Sequence, residues 1–214
     1  MDKVLVTGAG GQLGTELTLA LREQFGTDQV IATDIRPLPG ELTAGPTATL
    51  DVMDKQQFTD LVTGHKVTQI YHLAAILSAR GEQNPELAWH LNMDSLLTVL
   101  GLARDQQLHK VYWPSSIAVF GNSTPVNDTP QDTIMDPTTV YGISTLAGER
   151  WCEYYFLKHG VDVRSLRYPG LIGWKTLPGG GTTDYAVDIY HQALKQGHYS
   201  CFHKEDAYIP MMFM

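Results

Sequence analysis

Thr7-Gly8-Ala9-Gly10-Gly11-Gln12-Leu13-Gly14 decides how this chain is read. The stretch follows a buried-strand run, Lys3 to Thr7 (KVLVT), and opens a helical pattern from Leu13 to Phe25, with Gly26 just past its end. Gly8, Gly11 and Gly14 follow a G-x-x-G-x-x-G spacing. Such a loop lets backbone N–H groups approach a pyrophosphate at a helix N-terminus, where the dipole favours anions. A tight strand-to-helix turn would account for the glycines alone. It would not account for Asp34, which ends the second strand (Gln29 to Thr33, QVIAT) about twenty residues after Gly14, where a ribose-binding acid is expected. The loop is therefore read as a dinucleotide site. Asp34 would accept hydrogen bonds from the adenine-ribose hydroxyls and repel a 2′-phosphate, selecting NAD over NADP. Arg36 is the opposing signal, and it weighs less because Asp34 holds the strand end.

Outward from the loop, short β-branched runs alternate with helical patterns. Thr47 to Leu50 reads as a third strand, Gln56 to Val62 as a short helix, and Thr68 to Leu73 (TQIYHL) as a fourth strand. Asn84-Pro85-Glu86 supplies a helix start with Asn as N-cap, Pro at N1 and an acid in the first turn, and that helix runs to about Arg104. Lys110 to Ser115 is a fifth strand. A helix from Tyr141 to His159 stops at Gly160, Val161 to Leu166 (VDVRSL) is a sixth strand, and a last helix covers Asp184 to Gln196. Strands alternating with helices imply right-handed crossovers and a mostly parallel sheet covered on both faces. The loop-like run Gly173 to Thr183 (GWKTLPGGGTT) marks the expected passage from a sheet domain, residues 1–172, to a small lobe, residues 173–214. The apolar end, Ile209-Pro210-Met211-Met212-Phe213-Met214, implies either a buried tail or a shortened version of a longer chain.

Composition narrows the function class. A chain of 214 residues can bury a full core without staples. A net charge of −8 argues against a nucleic-acid partner, which needs a basic footprint. Two cysteines, Cys152 and Cys201, make no disulfide framework. No apolar run reaches bilayer length, and Met1-Asp2-Lys3 leads straight into a strand, so a soluble, cytoplasmic protein with a small-molecule ligand is expected.

Three further segments belong with the glycine loop. Leu73-Ala74-Ala75 ends the fourth strand, Pro114-Ser115-Ser116-Ile117-Ala118-Val119-Phe120-Gly121 ends the fifth, and Tyr141-Gly142-Ile143-Ser144 opens the next helix. Together they resemble the extended short-chain dehydrogenase/reductase superfamily. Within it, Ser78-Ala79-Arg80-Gly81-Glu82, Arg167-Tyr168-Pro169-Gly170, Gly181-Thr182-Thr183-Asp184-Tyr185-Ala186 and Pro210-Met211-Met212 are similar to the short-chain type of L-threonine 3-dehydrogenase. The resemblance spans essentially the whole chain. It implies an α/β, Rossmann-type doubly wound parallel sheet with a small C-terminal substrate lobe, NAD as cofactor and L-threonine as substrate. It implies Tyr141 as acid/base and Ser116 as ligand of the reacting oxygen. It also implies a homodimer, with a monomer as the alternative.

The chemistry suits those residue types. Oxidising a secondary alcohol needs a base on the hydroxyl proton while hydride leaves the same carbon, and a phenolate beside a hydroxyl can serve. One position departs from the superfamily's Tyr-x-x-x-Lys pattern: residue 145 is Thr. Residues four apart share a helix face, so Thr145 should point toward the nicotinamide ribose without the charge that lowers the tyrosine pKa. Slow turnover near neutrality and a rate rising into alkaline pH follow. By the same resemblance, Ser78 would contact the amino-acid carboxylate, Thr182 would support it, and Asp184 would hold the ammonium or its neighbours. Ser115 stands with Ser116 on the substrate side. Read without the resemblance, Thr183-Asp184 would simply cap the last helix. Cofactor contacts carried over are the backbone of Gln12 and Leu13, Ile35 beside Asp34, Asp51 and Val52 near the adenine, and Leu73 to Ala75. Asn92 and Tyr168-Pro169-Gly170-Leu171 near the nicotinamide complete the set.

His198, Cys201 and His203 make no metal motif, because 198 and 203 would face opposite sides of a strand and no H-x-x-x-H or C-x-x-C pair exists. Trp151, Tyr154 and Tyr155 lie on one wide apolar helix face, suited to the core or to pairing with the Leu87–Leu102 helix across a two-fold axis. Two alternatives stand beside threonine oxidation. One is a nucleotide-sugar epimerase or dehydratase, which would need a larger C-terminal lobe. The other is a weakly catalytic NAD-binding module, suggested by Thr145.

Overall fold

The computed structural model describes residues 2–175, 177, 179, 181–201 and 203–214. Three positions of the expected inter-lobe loop, Thr176, Pro178 and Gly180, therefore lie outside the described residues. In chain order the elements are β1 (Val4–Thr7), α1 (Gln12–Phe25), β2 (Val30–Asp34), β3 (Thr47–Thr49), α2 (Lys55–Gly64) and β4 (Gln69–His72). Next come α3 (Ser78–Gly81), α4 (Pro85–Asp105), β5 (Lys110–Tyr112), β6 (Ser115–Ser116), α5 (Val140–His159) and β7 (Val163–Arg164). The last are β8 (Arg167–Tyr168), β9 (Gly170–Ile172), α6 (Tyr185–Gln196) and β10 (Met211–Phe213). Among the described residues no helix is long and apolar enough to cross a membrane.

Six strands form one parallel sheet in the order β3-β2-β1-β4-β5-β7. Both faces are covered, as the continuous burial of β1 shows: all four of its residues are inaccessible. Side chains alternate across the strand, so Leu5 joins Ile31, Phe58, Ile70, Leu96 and Val111 on one face while Val4 and Val6 join Leu21, Val30, Ala32 and Leu42 on the other. Strand order reverses between β1 and β4, and a crevice opens outside the carboxyl ends of such strands. That is where the glycine loop and Leu73-Ala74-Ala75 emerge.

Local signals behave as the sequence implied at the long helices. Asn84 Oδ1 accepts from Leu87 N–H at 3.2 Å with Pro85 following, and α5 ends at Gly160 in the left-handed region. Inside α1, the buried Arg22 has no carboxylate partner among the described residues. Its guanidinium donates to the carbonyls of Leu42 (2.7 Å), Pro46 (3.0 Å) and Val30 (3.5 Å), and burial pulls its pKa down.

Three differences stand out. The fifth strand stops at Tyr112, because Pro114 brings no N–H, and the chain resumes as β6 paired with β8. The sixth strand shrinks to Val163–Arg164, with β8 and β9 continuing beyond it. At the apolar tail, β10 pairs in parallel with β9, Met211 opposite Gly170 and Phe213 opposite Ile172, although Phe213 stays largely exposed. Tyr155 packs in the core, while Trp151 and Tyr154 of the same face are exposed.

Candidate active site

A cleft of about 810 Å³ runs along the carboxyl ends of the strands. Its floor at one end is the glycine loop. The first turn of α1 has Gly11 at its N-cap and no side chain capping it, which leaves N–H groups directed at the cleft. A Cβ at Gly14 would collide with the Gly8 carbonyl oxygen, so the loop fits only with hydrogen there. Asp34 locks the loop to the end of β2: its carboxylate accepts from Gly10 N–H at 3.1 Å and from Arg36 N–H at 3.0 Å. An uncapped helix N-terminus and a glycine cradle beside a strand-end carboxylate fit a dinucleotide.

Beneath the loop, a chain of hydrogen bonds crosses the switch point. The Thr7 hydroxyl lies 2.8 Å from His72 Nδ1, and His72 Nε2 lies 2.9 Å from the Ser95 hydroxyl, which donates to the Leu91 carbonyl at 2.5 Å. Leu73 and Ala74 N–H groups donate back to Thr7 Oγ1. His72 is buried, and desolvation lowers its pKa to about 4, so the ring is neutral. On the facing helix, Asn92 grips the next segment with both amide atoms, accepting from Ile76 N–H at 2.8 Å and donating to Ile76 O at 3.1 Å.

At the other end, Thr139 caps α5 by accepting from Gly142 N–H at 3.1 Å, which sets Tyr141 in the first turn. Gly142 lets the helix press on the Ile117–Val119 turn, since a Cβ there would meet the Ala118 carbonyl. Tyr141 and Ser116 thereby stand on the same cleft wall. Burial raises the Tyr141 pKa, and the hydroxyls of Ser116 and Thr145 pull it part of the way back. The phenol is thus protonated at neutral pH. Thr145 lines the cleft but is buried, and its hydroxyl donates to the Tyr141 carbonyl at 2.6 Å, a back-bond along its own helix. No cation takes the place of a lysine on this wall: the described cations lining the cleft are Arg36 and Arg80.

The structure gathers most of the residues that the sequence singled out. Gly8, Gly11, Gln12, Leu13, Leu73 to Ala75, Ser78, Asn92, Ser115, Ser116, Tyr141, Thr145, Tyr168 to Leu171, Thr182 and Asp184 all line one cleft. Others stand off its wall. Val52 packs in the core, Ile35 is exposed, and Asp51 Oδ1 accepts from Met53 N–H in a local turn. The Ser115 hydroxyl is turned inward to Glu149 at 2.5 Å. Asp184 sits at the head of α6 without a side-chain cap on that helix, and its carboxylate instead accepts from Gly181 N–H at 2.8 Å. Thr182 N–H donates to Ser78 Oγ at 3.3 Å, tying the 181–184 turn to α3. His203 turns to the Thr182 carbonyl and the Tyr185 ring, and no three metal-ligating side chains converge among the described residues.

Sequence reasoning missed several wall and support groups. Arg80, Thr139 and Phe120 line the cleft, and the charge of Arg80 beside Ser78 was the available signal. The largely buried pair Glu149–Arg167 gave none, because the two residues look like surface charges on separate elements.

Residues 4–202 match the model of the NAD dependent epimerase/dehydratase family. The chain belongs to that family. A member from Staphylococcus haemolyticus, described as an uncharacterised epimerase/dehydratase, is 50% identical over all of this chain and 68% of its own length. Among solved structures, a partial-consensus L-threonine 3-dehydrogenase superposes with a TM-score of 0.95 at 56% identity, covering 99% of this chain and 68% of that one. The holo form of a GalE-like L-threonine dehydrogenase from Cupriavidus necator gives 0.94 at 55% identity with the same coverage. The chain thus spans about two thirds of the length of these relatives. The family description and the holo relative point to a nicotinamide cofactor for this epimerase/dehydratase-family chain, in agreement with the glycine cradle.

Proposed function

We propose that this chain oxidises L-threonine at its β-carbon to L-2-amino-3-oxobutyrate, with NAD as the hydride acceptor. The observation that carries the reading is that Tyr141 and Ser116 share a wall of the cleft whose far end is the glycine loop. High likeness to L-threonine dehydrogenases over nearly the whole chain supports the substrate. Gln12 and Leu13 would hold the pyrophosphate through their backbone N–H groups, and Asp34, locked beside Gly10, would favour NAD over NADP. When bound, the nicotinamide supplies the acceptor for the hydride that leaves the β-carbon.

This chain's own residues do the rest. Tyr141, as phenolate, would take the proton of the threonine hydroxyl at its Oη while the Ser116 hydroxyl holds the same oxygen. Ser78 and Thr182 would receive the carboxylate, and Asp184 the ammonium, a charge arrangement matched to a zwitterion. Without a cation at position 145 the phenolate form is scarce near neutrality, because burial favours the protonated ring. Turnover should be slow at pH 7 and climb with pH. The first turn of α5 offers its own partial positive charge as modest compensation.

The test is NAD reduction followed by absorbance with L-threonine from pH 7 to pH 10, beside a panel of UDP-sugars. A rate rising with pH and confined to L-threonine and close 3-hydroxy amino acids is expected. Turnover of a UDP-sugar without threonine oxidation would move the chain to the epimerase branch of its family. Tight NAD binding with no reduction by any of these compounds would leave it a binding module.

A further inference from the structure

The helix face that presents Tyr141 continues one and two turns on through Thr145 and Glu149. Glu149 is a junction. Ser115 donates to its Oε1 at 2.5 Å, and Arg167 grips both oxygens in a fork, Nε to Oε1 at 2.7 Å and Nη2 to Oε2 at 2.8 Å. The two side chains are only 10% and 15% exposed. The free arm of Arg167, Nη1, donates to the Gln131 carbonyl at 2.7 Å, and the guanidinium lies 5.4 Å from the centre of the Phe120 ring. Ser115 and Arg167 are register partners in the β6–β8 ladder, as are Ser116 and Tyr168. The pair therefore joins α5, both short strands and the 121–138 loop at one point.

Successive side chains on a strand point to opposite sides. Ser115 goes to Glu149, and Ser116 goes to the cleft, where its Oγ accepts from Ala118 N–H at 3.1 Å. Holding Ser115 fixes the rotation of a two-residue strand, and with it the direction of the Ser116 hydroxyl. A buried ion pair adds little net stability over apolar packing, so stability alone does not explain a carboxylate that collects these three donors beside the reacting end. We propose that Glu149 and Arg167 are a positioning pair that, by gripping Ser115, aims the Ser116 hydroxyl at Tyr141, and that through Gln131 hold the 121–138 loop along the reacting end. This rests on the roles given above to Tyr141 and Ser116.

Two readouts test it in Arg167→Lys, Ser115→Ala, Ser116→Ala and the double variant Ser116→Ala/Arg167→Lys. The first is kcat with L-threonine. The second is ultraviolet titration of the Tyr141 phenolate, each protein against its Tyr141→Phe counterpart, and it needs no substrate. Arg167→Lys keeps the charge but loses the fork, and Ser115→Ala cuts the grip while leaving the ion pair whole, so the two perturb the junction by independent routes. Each should lower kcat about tenfold and move the phenolate titration to higher pH, as Ser116→Ala does, while the Kd for NAD changes less than about twofold. In the double variant the loss should not exceed that of Ser116→Ala alone. Cleavage within 121–138 by a non-specific protease should be faster in Arg167→Lys. Independent, multiplicative losses in the double variant, or a wild-type titration in Arg167→Lys and Ser115→Ala, would overturn the pair's role. A wild-type chain that fails to oxidise threonine sinks the proposed function, and the titration arm still decides this inference.

Discussion

The two ends of the cleft are built by different means. The phosphate end is made of backbone: a glycine turn, an uncapped helix start and one carboxylate that accepts from two main-chain N–H groups. The reacting end is made of side-chain hydroxyls set by partners far away in sequence, as Ser115 is by Glu149. The first arrangement is local and is spoiled by bulk. The second is assembled by the fold and is spoiled by removing single atoms.

The sharpest break between the ends should come from Tyr141→Phe. Loss of the acid/base group should cut NAD reduction by about a thousandfold, within the range for general acid–base catalysis, and leave the Kd for NAD and the unfolding midpoint unchanged. Residual activity near wild type would mean that the reacting end lies elsewhere. At the junction between the ends, His72 links the loop to α4. Its folded pKa of about 4 lies below the ordinary 6.5, so the folded state binds fewer protons between those values. Stability is full above pH 6.5 and should fall by up to about 3 kcal/mol as pH drops from 6.5 to 4, measured by denaturant unfolding. In His72→Gln the part of that slope between pH 6.5 and about 5, where carboxylates still stay ionised, should disappear. The Glu149 carboxyl sits below its usual range, because the Arg167 fork and the Ser115 hydroxyl outweigh the upward push of burial, so its contribution is lost only in stronger acid.

Gly14→Val attacks the phosphate end alone. Its side chain would meet the Gly8 carbonyl and Ala9, so calorimetry should show NAD affinity reduced about a hundredfold with some loss of stability from overpacking. Ser116→Ala, by contrast, should bind NAD normally. The smallest effect is a gain. Thr145→Lys should raise kcat at pH 7.5 about tenfold and move the alkaline limb to lower pH, since a cation near the phenol favours its ionised form. An unchanged rate and profile would show that the back-bonded helix turn does not bring position 145 to bear on the base.

How much of this was legible depends on range. The glycine loop and the Asn84-Pro85 helix start are read from neighbours within a few residues, Asp34 from a fixed offset of about twenty residues after Gly14, and the structure forms each of them. Ser116 and Tyr141 were legible as two motifs, each closing or opening an element. Strands β8, β9 and β10 were not, since two or three residues carry no alternation to detect. Nor was the burial of Glu149 and Arg167, which depends on a pairing eighteen positions apart that only the sheet brings about. Position 145 is the instructive middle case. Helical periodicity put Thr145 on the right face, and the structure adds that its hydroxyl also donates to the Tyr141 carbonyl, a competition that short hydroxyl side chains enter and lysine does not.

Arg22 has a consequence of its own. A guanidinium held through its two terminal nitrogens by three carbonyls has, among the described residues, no counter-ion for dissolved salt to shield, unlike the exposed pairs Arg104–Asp105 and Arg164–Asp162. The clasp it forms between the first helix and the strands beside it should therefore hold equally well in brine and in dilute buffer, so that the nucleotide half of the molecule keeps its shape where surface electrostatics fade.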